Sequence, residues 1–374
     1  MKTKKILKGI LLAILFLVGA FITYSLIPRV GHSKNSYATN LKNSSILSKD
    51  FQEKLRLFAQ DTATKTEVVI ALKDNKVIFE KGDTKKLINL HSARKSIMSL
   101  LIGIAKEKGL LSLDESLGSL GIDESKTPLT KQEKTATIRD LLMARSGVYL
   151  QAEAEVDYAK DNRPKRGQYK PGEFFFYNNF DFNVLGEIIE QKTGKSIGEF
   201  MEDNLAKPLG MQDFSASNVV YGSPWPIPNE SLSDYPVYWI FMSARDLARV
   251  GSLVAQNGNY NGKQIISSEW LNESFKPYTK LSDYNIDKSP VDAYGYLWWL
   301  DTDENIIWAD GYGGQYLLID PATKLVFVQR NFTGNSLMSS GLFLLDGSRD
   351  NSHKNDLKHL YERTKKYLKK QNEL

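Results

Sequence analysis

The stretch NLHSARKSIMSLLIGIAKEKGLLSLDE, residues 89–115, places a serine and a lysine at the start of an apolar pattern. Ser92 and Lys95 are three positions apart and would share one face of a helix, because residues i and i+3 are neighbours on a helix surface. Apolar residues then follow at helical spacing, at Ile97, Met98, Leu100, Leu101 and Ile104. This pattern predicts a helix that is buried in a core and holds the pair in a fixed geometry.

The Ser92–Lys95 pair has the residue types that nucleophilic catalysis requires. A serine hydroxyl is a weak nucleophile until a base takes its proton. A lysine can be that base if burial or a nearby positive charge lowers its pKa from about 10.4. The start of a helix would also stabilise a developing oxyanion. The alternative is an ordinary helix-capping serine, although this is the only S-x-x-K sequence in the chain.

Two further motifs carry groups that could complete a catalytic site. The chain has one Y-x-N sequence, Tyr177-Asn178-Asn179, within KPGEFFFYNNFDFNVLGEIIEQKTG. The Tyr177 hydroxyl could relay the serine proton, and Asn179 could hold Lys95 and a substrate carbonyl. The segment WADGYGGQYLLIDP, residues 308–321, has a glycine-rich turn where the backbone could approach a ligand closely. Aromatic packing and a plain hairpin turn are the alternatives for these two segments.

Together these motifs resemble the serine β-lactamase and penicillin-binding-protein superfamily. The likeness is greatest to the class C β-lactamase branch, which includes esterases, peptidases and amide hydrolases, and it extends over residues 50–374. Other segments that resemble the family are LAKPLGMQDFS, MSARDLARVGSLVAQNGNYNGKQIISSEWL and YGYLWWL. The resemblance implies an α+β, β-lactamase/transpeptidase-like fold, in which an antiparallel sheet is flanked by helices and a large, mostly helical subdomain lies beside it.

The resemblance also implies a role for each matching residue. Ser92 would be the acylated nucleophile, Lys95 its base, and Tyr177 a partner in proton transfer that assists deacylation by water. Asn179 would orient Lys95 and the substrate. The backbone N–H groups of Ser92 and Tyr312 would form the oxyanion hole.

The third motif departs from the family pattern. It falls on Ala309-Asp310-Gly311, where penicillin-processing members usually have lysine and many relatives have histidine. Ala309 offers no positive charge to a substrate carboxylate, which argues against β-lactamase and carboxypeptidase activity. Asp310 raises the hypothesis that the substrate carries an amine, as an aminoacyl ester does; a structural aspartate at a turn is the alternative. Gly311 and Tyr312 are expected beside the substrate.

The order of the predicted elements agrees with this fold class. A helix is predicted at Lys49–Ala59, and a hairpin follows around Asp74-Asn75. Residues 110–290 are mostly helical in pattern, strands return near the C-terminus, and HKNDLKHLYERTKKYLKK predicts a closing helix. Short turns between the last strands predict antiparallel pairing, and the first hairpin is expected to join the same sheet.

The N-terminal segment has the pattern of a membrane anchor. Four lysines precede 19 uncharged residues, Gly9–Ile27, which are enough to cross a bilayer as a helix. We predict a cytoplasmic basic tip at 1–5, an anchor or signal segment at 6–27, a flexible linker at 28–48 and the hydrolase domain at 49–374. The basic residues predict a single-pass cell-membrane protein with an extracytoplasmic catalytic domain. Cleavage of the segment would instead make the protein secreted or periplasmic.

Composition excludes several classes of function. The 374-residue chain has no cysteine, which rules out a thiol nucleophile, a disulfide scaffold and a zinc–thiolate site. Its net charge of +5 arises from eight basic residues in 1–49, whereas 50–374 has 41 basic and 44 acidic residues. Nucleic-acid binding is therefore not expected. The four histidines suggest no metal site, and no cofactor is expected.

The sequence therefore predicts an extracytoplasmic serine hydrolase that forms an acyl-enzyme on Ser92. Hydrolysis of carboxylic esters is the first prediction. Amide or peptide hydrolysis, including penicillin-binding-type peptidase activity, is the alternative because it uses the same groups. A non-catalytic binding or regulatory member of the family is the rival from another class. The expected partners are a small-molecule or cell-envelope ester or amide and, through the N-terminal segment, the membrane; the sequence indicates no oligomeric state.

Overall fold

The computed structural model describes residues 2–61, 66–155, 157–222, 233–346 and 354–374. The helices in these ranges are α1 (Lys2–Leu26), α2 (Lys49–Asp61), α3 (Arg94–Glu107), α4 (Ile138–Leu142), α5 (Asp157–Asn162), α6 (Asn179–Thr193), α7 (Ile197–Met201), α8 (Lys207–Leu209), α9 (Ala244–Ala255), α10 (Ser268–Ser274), α11 (Leu337–Asp346) and α12 (Lys354–Lys370). The strands are β1 (Lys42–Asn43), β2 (Val68–Lys73), β3 (Lys76–Lys81), β4 (Ile88–Asn89), β5 (Val219–Tyr221), β6 (Tyr238–Met242), β7 (Asn259–Tyr260), β8 (Lys263–Gln264), β9 (Thr279–Lys280), β10 (Ala293–Tyr294), β11 (Trp299–Asp301), β12 (Ile306–Gly311), β13 (Gln315–Asp320) and β14 (Leu325–Arg330).

A nine-stranded sheet organises the domain, with strand order β1-β3-β2-β14-β13-β12-β11-β10-β9. Its neighbouring strands pair antiparallel, apart from the short β1, which runs parallel to β3. Asp74 and Asn75 turn the first hairpin with φ of 49° and 64°, which these two residue types tolerate well. That hairpin lies beside β14, where Val69 pairs with Gln329. Both predictions about strand pairing are therefore confirmed.

Helices cover both faces of the central sheet. Successive residues of a strand point to opposite faces, and Val326 and Phe327 of β14 show this directly. Val326 meets α9 at Gly251, where an added Cβ would lie 2.5 Å from Val326 Cγ1. Phe327 packs against Tyr361 of α12, with ring centroids 6.0 Å apart. The sheet therefore lies between α9 and α12, and the glycine allows α9 to approach it closely.

The helix predicted from the opening stretch is α3, which follows a short 3-10 turn at His91–Ala93. Its residues from Arg94 to Ala105 are all buried. The helix contacts α6 on one side and β12 on another. An added Cβ on Gly103 would lie 2.3 Å from Trp270 Nε1 of α10, so this helix is enclosed on a further side. Thus α3 is the central element that joins the sheet to the mostly helical subdomain.

The segment 28–48 does not form the predicted flexible linker. Val30 is buried, and Lys42–Asn43 pairs as a strand with β3. The side chain of Asn35 donates a 2.7 Å hydrogen bond from Nδ2 to Phe214 O. The prediction is wrong because polar residues that are typical of solvated linkers here bond to the backbone of the domain.

The N-terminal segment forms helix α1, and its described apolar side chains are mostly exposed. Within the part of the chain that the structure describes, no helix combines the length and the apolar character needed to span a membrane. The basic tip at 1–5 and the anchor or signal segment at 6–27 therefore stay predictions.

Candidate active site

Ser92 lies on the tight connection between β4 and α3. The preceding residue, His91, has a φ of 46°, which is uncommon for a residue other than glycine. The backbone N–H of His91 donates a 2.9 Å hydrogen bond to Asn89 Oδ1, which helps to hold this turn. Ser92 is partly buried and lines a cavity. The turn therefore presents the hydroxyl to a ligand at the start of a buried helix.

The three residues predicted to perform the chemistry lie together. Lys95 Nζ is 3.0 Å from Ser92 Oγ and 2.8 Å from the Tyr177 hydroxyl oxygen. The ammonium or amine group lies over aromatic rings, 4.2 Å from the centroid of Tyr177 and 4.4 Å from that of Phe182. Only 3% of Lys95 is exposed. The site thus encloses a lysine that reaches the serine directly.

The surroundings of Lys95 favour its neutral form. Burial is the largest cause that lowers its pKa well below the ordinary lysine value, and the charges of Arg94 and Lys288 add to the shift. Asp310 opposes the shift but does not reverse it. Arg94 is itself buried, with Nη1 donating to His91 O at 3.1 Å. An unprotonated Lys95 can accept the Ser92 proton, which is the requirement for a general base.

Tyr177 is held as a protonated hydroxyl. Burial is the main cause that raises its pKa above the ordinary tyrosine value. A hydroxyl that keeps its proton can donate to an oxygen while it accepts from a nitrogen, so it can pass a proton between two groups. Its ring stacks on Trp299, with centroids 5.4 Å apart. The position of the Tyr177 side chain is thus fixed by packing.

The cavity in front of Ser92 is large enough for a small organic substrate. Its volume is about 450 Å³. Part of its wall is apolar or aromatic and is formed by Phe175, Tyr177, Ile286, Trp299 and Tyr316. Tyr312 and Gly311 also line it. A mostly apolar wall with a few polar groups is typical of small-molecule sites.

Strand β12, which leads to the predicted oxyanion donor Tyr312, lies directly against the turn that carries Ser92. An added Cβ on Gly311 would be 2.2 Å from Leu90 O and 3.1 Å from Ala93 N. Gly311 therefore permits an approach that a side chain would prevent. Tyr312 follows at once, and its ring packs edge-on to His91, with centroids 5.7 Å apart. This placement brings the Tyr312 backbone to the same turn that carries Ser92, as the oxyanion prediction requires.

A buried pair connects the two sides of the site: Gln315, from the glycine-rich segment, and Arg330, which belongs to none of the sequence motifs. Arg330 Nε donates to Gln315 Oε1 at 2.7 Å. Gln315 Nε2 donates to Gly313 O at 3.0 Å, within the glycine-rich turn. The Arg330 guanidinium also donates from Nη2 to Ile88 O at 2.7 Å, on the strand before Ser92. The two side chains together thus link the glycine-rich turn to β4, the strand before Ser92.

Replacing Arg330 with methionine is expected to remove this link and destabilise the protein by about 3 kcal/mol, since buried carbonyl groups lose their donors. The oxyanion turn should lose its position, so kcat should fall along with the melting temperature. Thermal unfolding and steady-state kinetics of the folded fraction would measure both effects. Arg56→Met is the control, because Arg56 is partly exposed and its ion pair is with Glu53, three residues earlier on the same helix. Equal effects of the two substitutions would contradict the bracing role.

Asn179 does not make the contact with Lys95 that the resemblance implied. It begins α6 and is 6% exposed. Its Nδ2 donates a short hydrogen bond to Ala154 O, and no hydrogen bond joins it to Lys95 among the described residues. The implied contact that would orient Lys95 is therefore not seen. Its Oδ1 has no hydrogen-bond partner in the described ranges, and substrate binding by Asn179 stays a prediction.

Asp310 lies in the cavity wall, but its carboxylate is already paired with cations. Lys288 Nζ and Lys354 Nζ are 2.8 and 2.9 Å from Asp310 Oδ2. Burial alone would raise the pKa of Asp310, but the charges of the two lysines outweigh it and lower that pKa. A substrate amine would have to displace one of them, so the structure argues against the cationic-substrate hypothesis. Ala309 offers no charge, as expected, but Lys288 and Lys354, from distant parts of the sequence, bring positive charge to the same cavity wall.

Comparison with known proteins identifies the class to which this fold and site belong. The Beta-lactamase family profile matches residues 52–329. The protein therefore belongs to this family, whose members include serine hydrolases and penicillin-binding-protein homologues. Protein flp of Staphylococcus aureus (strain NCTC 8325 / PS 47) is 22% identical over 306 residues, which cover 71% of this chain and 59% of flp. The chain thus matches less than two thirds of that relative's length.

Solved structures share the fold at low sequence identity. A Bacillus anthracis protein, provisionally described as a 6-aminohexanoate-dimer hydrolase, matches with a TM-score of 0.56 and 18% identity over 87% of this chain and 92% of that one. A family VIII carboxylesterase matches with a TM-score of 0.54 and 15% identity over 82% and 98%. At these identities the likeness shows the fold, and the predicted α+β, β-lactamase/transpeptidase-like fold is confirmed.

Proposed function

We propose that this protein hydrolyses carboxylic esters through an acyl-enzyme on Ser92. The observation that carries the proposal is the 3.0 Å separation of Ser92 Oγ from Lys95 Nζ, in surroundings that lower the pKa of Lys95. A nucleophile beside a base whose lowered pKa favours the neutral form is the arrangement that acyl transfer needs. Membership in a family of serine hydrolases agrees with this chemistry.

In the proposed acylation, Lys95 takes the Ser92 proton as Oγ attacks the ester carbonyl carbon. The carbonyl oxygen gains negative charge, and the backbone N–H groups of Ser92 and Tyr312 donate to it. Collapse of the tetrahedral intermediate breaks the bond to the alcohol oxygen. Tyr177 and Lys95 together return a proton to that oxygen, and the alcohol leaves the acylated serine behind.

Deacylation would reverse the roles with water as the nucleophile. A water molecule attacks the acyl carbon while the Tyr177–Lys95 pair accepts its proton. The intermediate then collapses, the carboxylic acid leaves, and the proton returns to Ser92 Oγ. If this second step were slow, the protein would stay acylated and act as a covalent binder, which is the non-catalytic alternative.

We place ester hydrolysis ahead of amide hydrolysis because an alkoxide is a better leaving group than an amine anion. Ester cleavage therefore depends less on a group that protonates the leaving atom. The fold likeness to a family VIII carboxylesterase is compatible with this preference. The likeness to a 6-aminohexanoate-dimer hydrolase keeps amide hydrolysis, including peptidase activity, as the second candidate.

A panel of p-nitrophenyl esters and the matching p-nitroanilides, with a fluorescent penicillin, separates these activities. We expect turnover of esters by the wild-type chain, slower turnover of anilides, and neither with the Ser92→Ala variant. Faster anilide turnover would replace the ester proposal with the amide one. A lasting penicillin adduct on Ser92 would assign the protein to the penicillin-binding class.

We also propose that the protein is held at a membrane with its catalytic domain outside the cytoplasm. The described apolar side chains of α1 are mostly exposed, and α1 contacts α11. Exposed apolar side chains continue on α11, at Met338, Leu342, Leu344 and Leu345. Backbone and side-chain hydrogen bonds between Asn335 and Arg29-Val30 tie the two helices together. These helices would share one apolar surface.

The absence of native cysteine gives a direct test of this location. Lys131 is exposed, so a Lys131→Cys variant carries a single reactive thiol. We expect a membrane-impermeant maleimide to label it in intact cells, and the protein to stay with membranes washed in sodium carbonate. Labelling only after lysis, or release by the wash, would contradict the proposal.

A further inference from the structure

Three charged side chains meet in the cavity wall next to the candidate active site. Lys288 and Lys354 approach the same oxygen of Asp310, at 2.8 and 2.9 Å. The Lys354 and Asp310 side chains are only 11% and 12% exposed. Lys288 also lies 4.5 Å from the ring centroid of Trp299, which helps to fix its position. All three residues line the cavity that contains Ser92.

This cluster holds one more positive charge than negative charge. Two ammonium groups share one carboxylate oxygen, and each ammonium group carries three N–H donors. The ammonium groups therefore keep N–H donors for a further acceptor. Asp287 also lines the cavity, but it is exposed at the rim, where water screens its charge.

An excess cation that is largely buried is costly unless an anion accompanies it. Burial lowers the pKa of Lys354 to about 8, even though Asp310 acts in the opposite direction. An anionic group placed against Lys354 would restore the charge balance and stabilise its protonated form. The cluster thus has the properties of a site that is completed by its ligand.

We propose that Lys288 and Lys354 form a subsite that binds a carboxylate carried by the ester substrate. This inference rests on the proposed hydrolase function and specifies its substrate class. Asp310 holds the two ammonium groups in place and is a positioning residue. The two lysines supply the positive charge that Ala309, the neighbour of Asp310 on β12, lacks.

The position of the subsite sets the spacing within the substrate. Asp310 lies in β12, two residues before Tyr312, the expected oxyanion donor, so the Cα atoms of the two residues are at most about 7 Å apart. A carboxylate that is two or three methylene groups from the ester carbonyl matches this separation. The substrate would then resemble a half-ester of a short dicarboxylic acid.

The test compares an anionic and a neutral ester of similar length on the full chain. The p-nitrophenyl half-ester of glutaric acid carries the carboxylate, and p-nitrophenyl valerate lacks it. For Lys354→Met we expect the kcat/KM ratio of anionic to neutral ester to fall about 10-fold, because a charge-assisted hydrogen bond is lost. The change should lie mainly in KM for the anionic ester and should exceed any change in the kinetics with valerate.

Matched variants separate this role from a structural one. Asp310→Asn removes the carboxylate that holds both ammonium groups in place, so preference for the anionic ester should fall as well. Lys131→Met removes an exposed lysine and should not change the kcat/KM ratio of anionic to neutral ester. An unchanged ratio in Lys354→Met, or an equal fall for both esters together with a lower melting temperature, would overturn the subsite proposal.

A binding measurement distinguishes failure of the subsite from failure of the hydrolase proposal. Titration calorimetry of the Ser92→Ala variant with the two intact esters reports recognition without turnover. Tighter binding of the half-ester, lost in Ser92→Ala/Lys354→Met, would support the subsite even if the wild type hydrolysed neither ester. Hydrolysis of both esters with equal binding would retain the hydrolase function and reject the subsite.

Discussion

Replacing Lys95 with methionine is expected to lower kcat/KM for ester hydrolysis by about 10²- to 10⁴-fold, the usual contribution of a general base. Methionine is similar in length but cannot accept the Ser92 proton. The variant should fold at least as well as the wild type, since it removes an amine that is only 3% exposed from an aromatic enclosure. Steady-state kinetics and thermal unfolding of the two proteins would show a loss of activity without a loss of stability.

The lowered pKa of Lys95 also gives pH dependences of defined sign. Hydrolysis needs the unprotonated amine, so kcat/KM should rise with pH and level off well below about 10.4, the value of an ordinary lysine. Between the folded-state pKa and that value, the unfolded chain binds more protons, so stability should rise with pH. The Lys95→Met variant should lose both dependences.

Profiles of kcat/KM and melting temperature against pH would check both signs. A rise in kcat/KM centred near the ordinary lysine pKa would contradict a buried, neutral base. So would a Lys95→Met variant that keeps activity within a few-fold of the wild type at every pH, because Ser92 would then be activated by another group.

Replacing Gly311 with alanine is expected to lower kcat by about 10²- to 10³-fold, as the loss of one oxyanion donor does. The new Cβ would lie 2.2 Å from Leu90 O, which is closer than atoms can approach, so β12 must move away from the nucleophile turn. That movement carries the Tyr312 N–H away from the carbonyl oxygen it should stabilise. Overpacking should also cost about 1–3 kcal/mol of stability.

Gly31→Ala is the matched control for that substitution. An added Cβ on Gly31 meets no heavy atom within 4 Å, and its φ is not positive, so kinetics and stability should stay unchanged. Measurement of kcat on the folded fraction separates lost chemistry from lost stability. A Gly311→Ala variant with normal kcat would show that the strand does not supply the oxyanion donor.

The sequence could predict that Ser92, Lys95 and Tyr177 lie together because these residues stand in short motifs. Ser92 and Lys95 are one helical turn apart, and Tyr177 stands in the only Y-x-N segment. Lys288 and Lys354 could not be predicted in the same way. One lies in a loop and the other begins α12, and only the fold brings both to Asp310. Such lysines have no local sequence pattern that distinguishes them from lysines on the solvated surface.

The fold was predictable wherever periodicity or turn chemistry was strong. The buried helix α3, the Asp74-Asn75 hairpin and the antiparallel C-terminal strands all follow from such patterns. The segment 28–48 was not, because serine and asparagine residues are equally suited to solvent and to backbone hydrogen bonds. Which of these they make depends on neighbours that are distant in sequence, as with Asn35 and Phe214.

The central claim is that Ser92 is an activated nucleophile, and intact-mass measurement after treatment with a fluorophosphonate tests it most directly. The account predicts one adduct per wild-type chain and none on Ser92→Ala, with both proteins folded by circular dichroism. A folded wild-type protein that forms no adduct, or an equal adduct on Ser92→Ala, would contradict it.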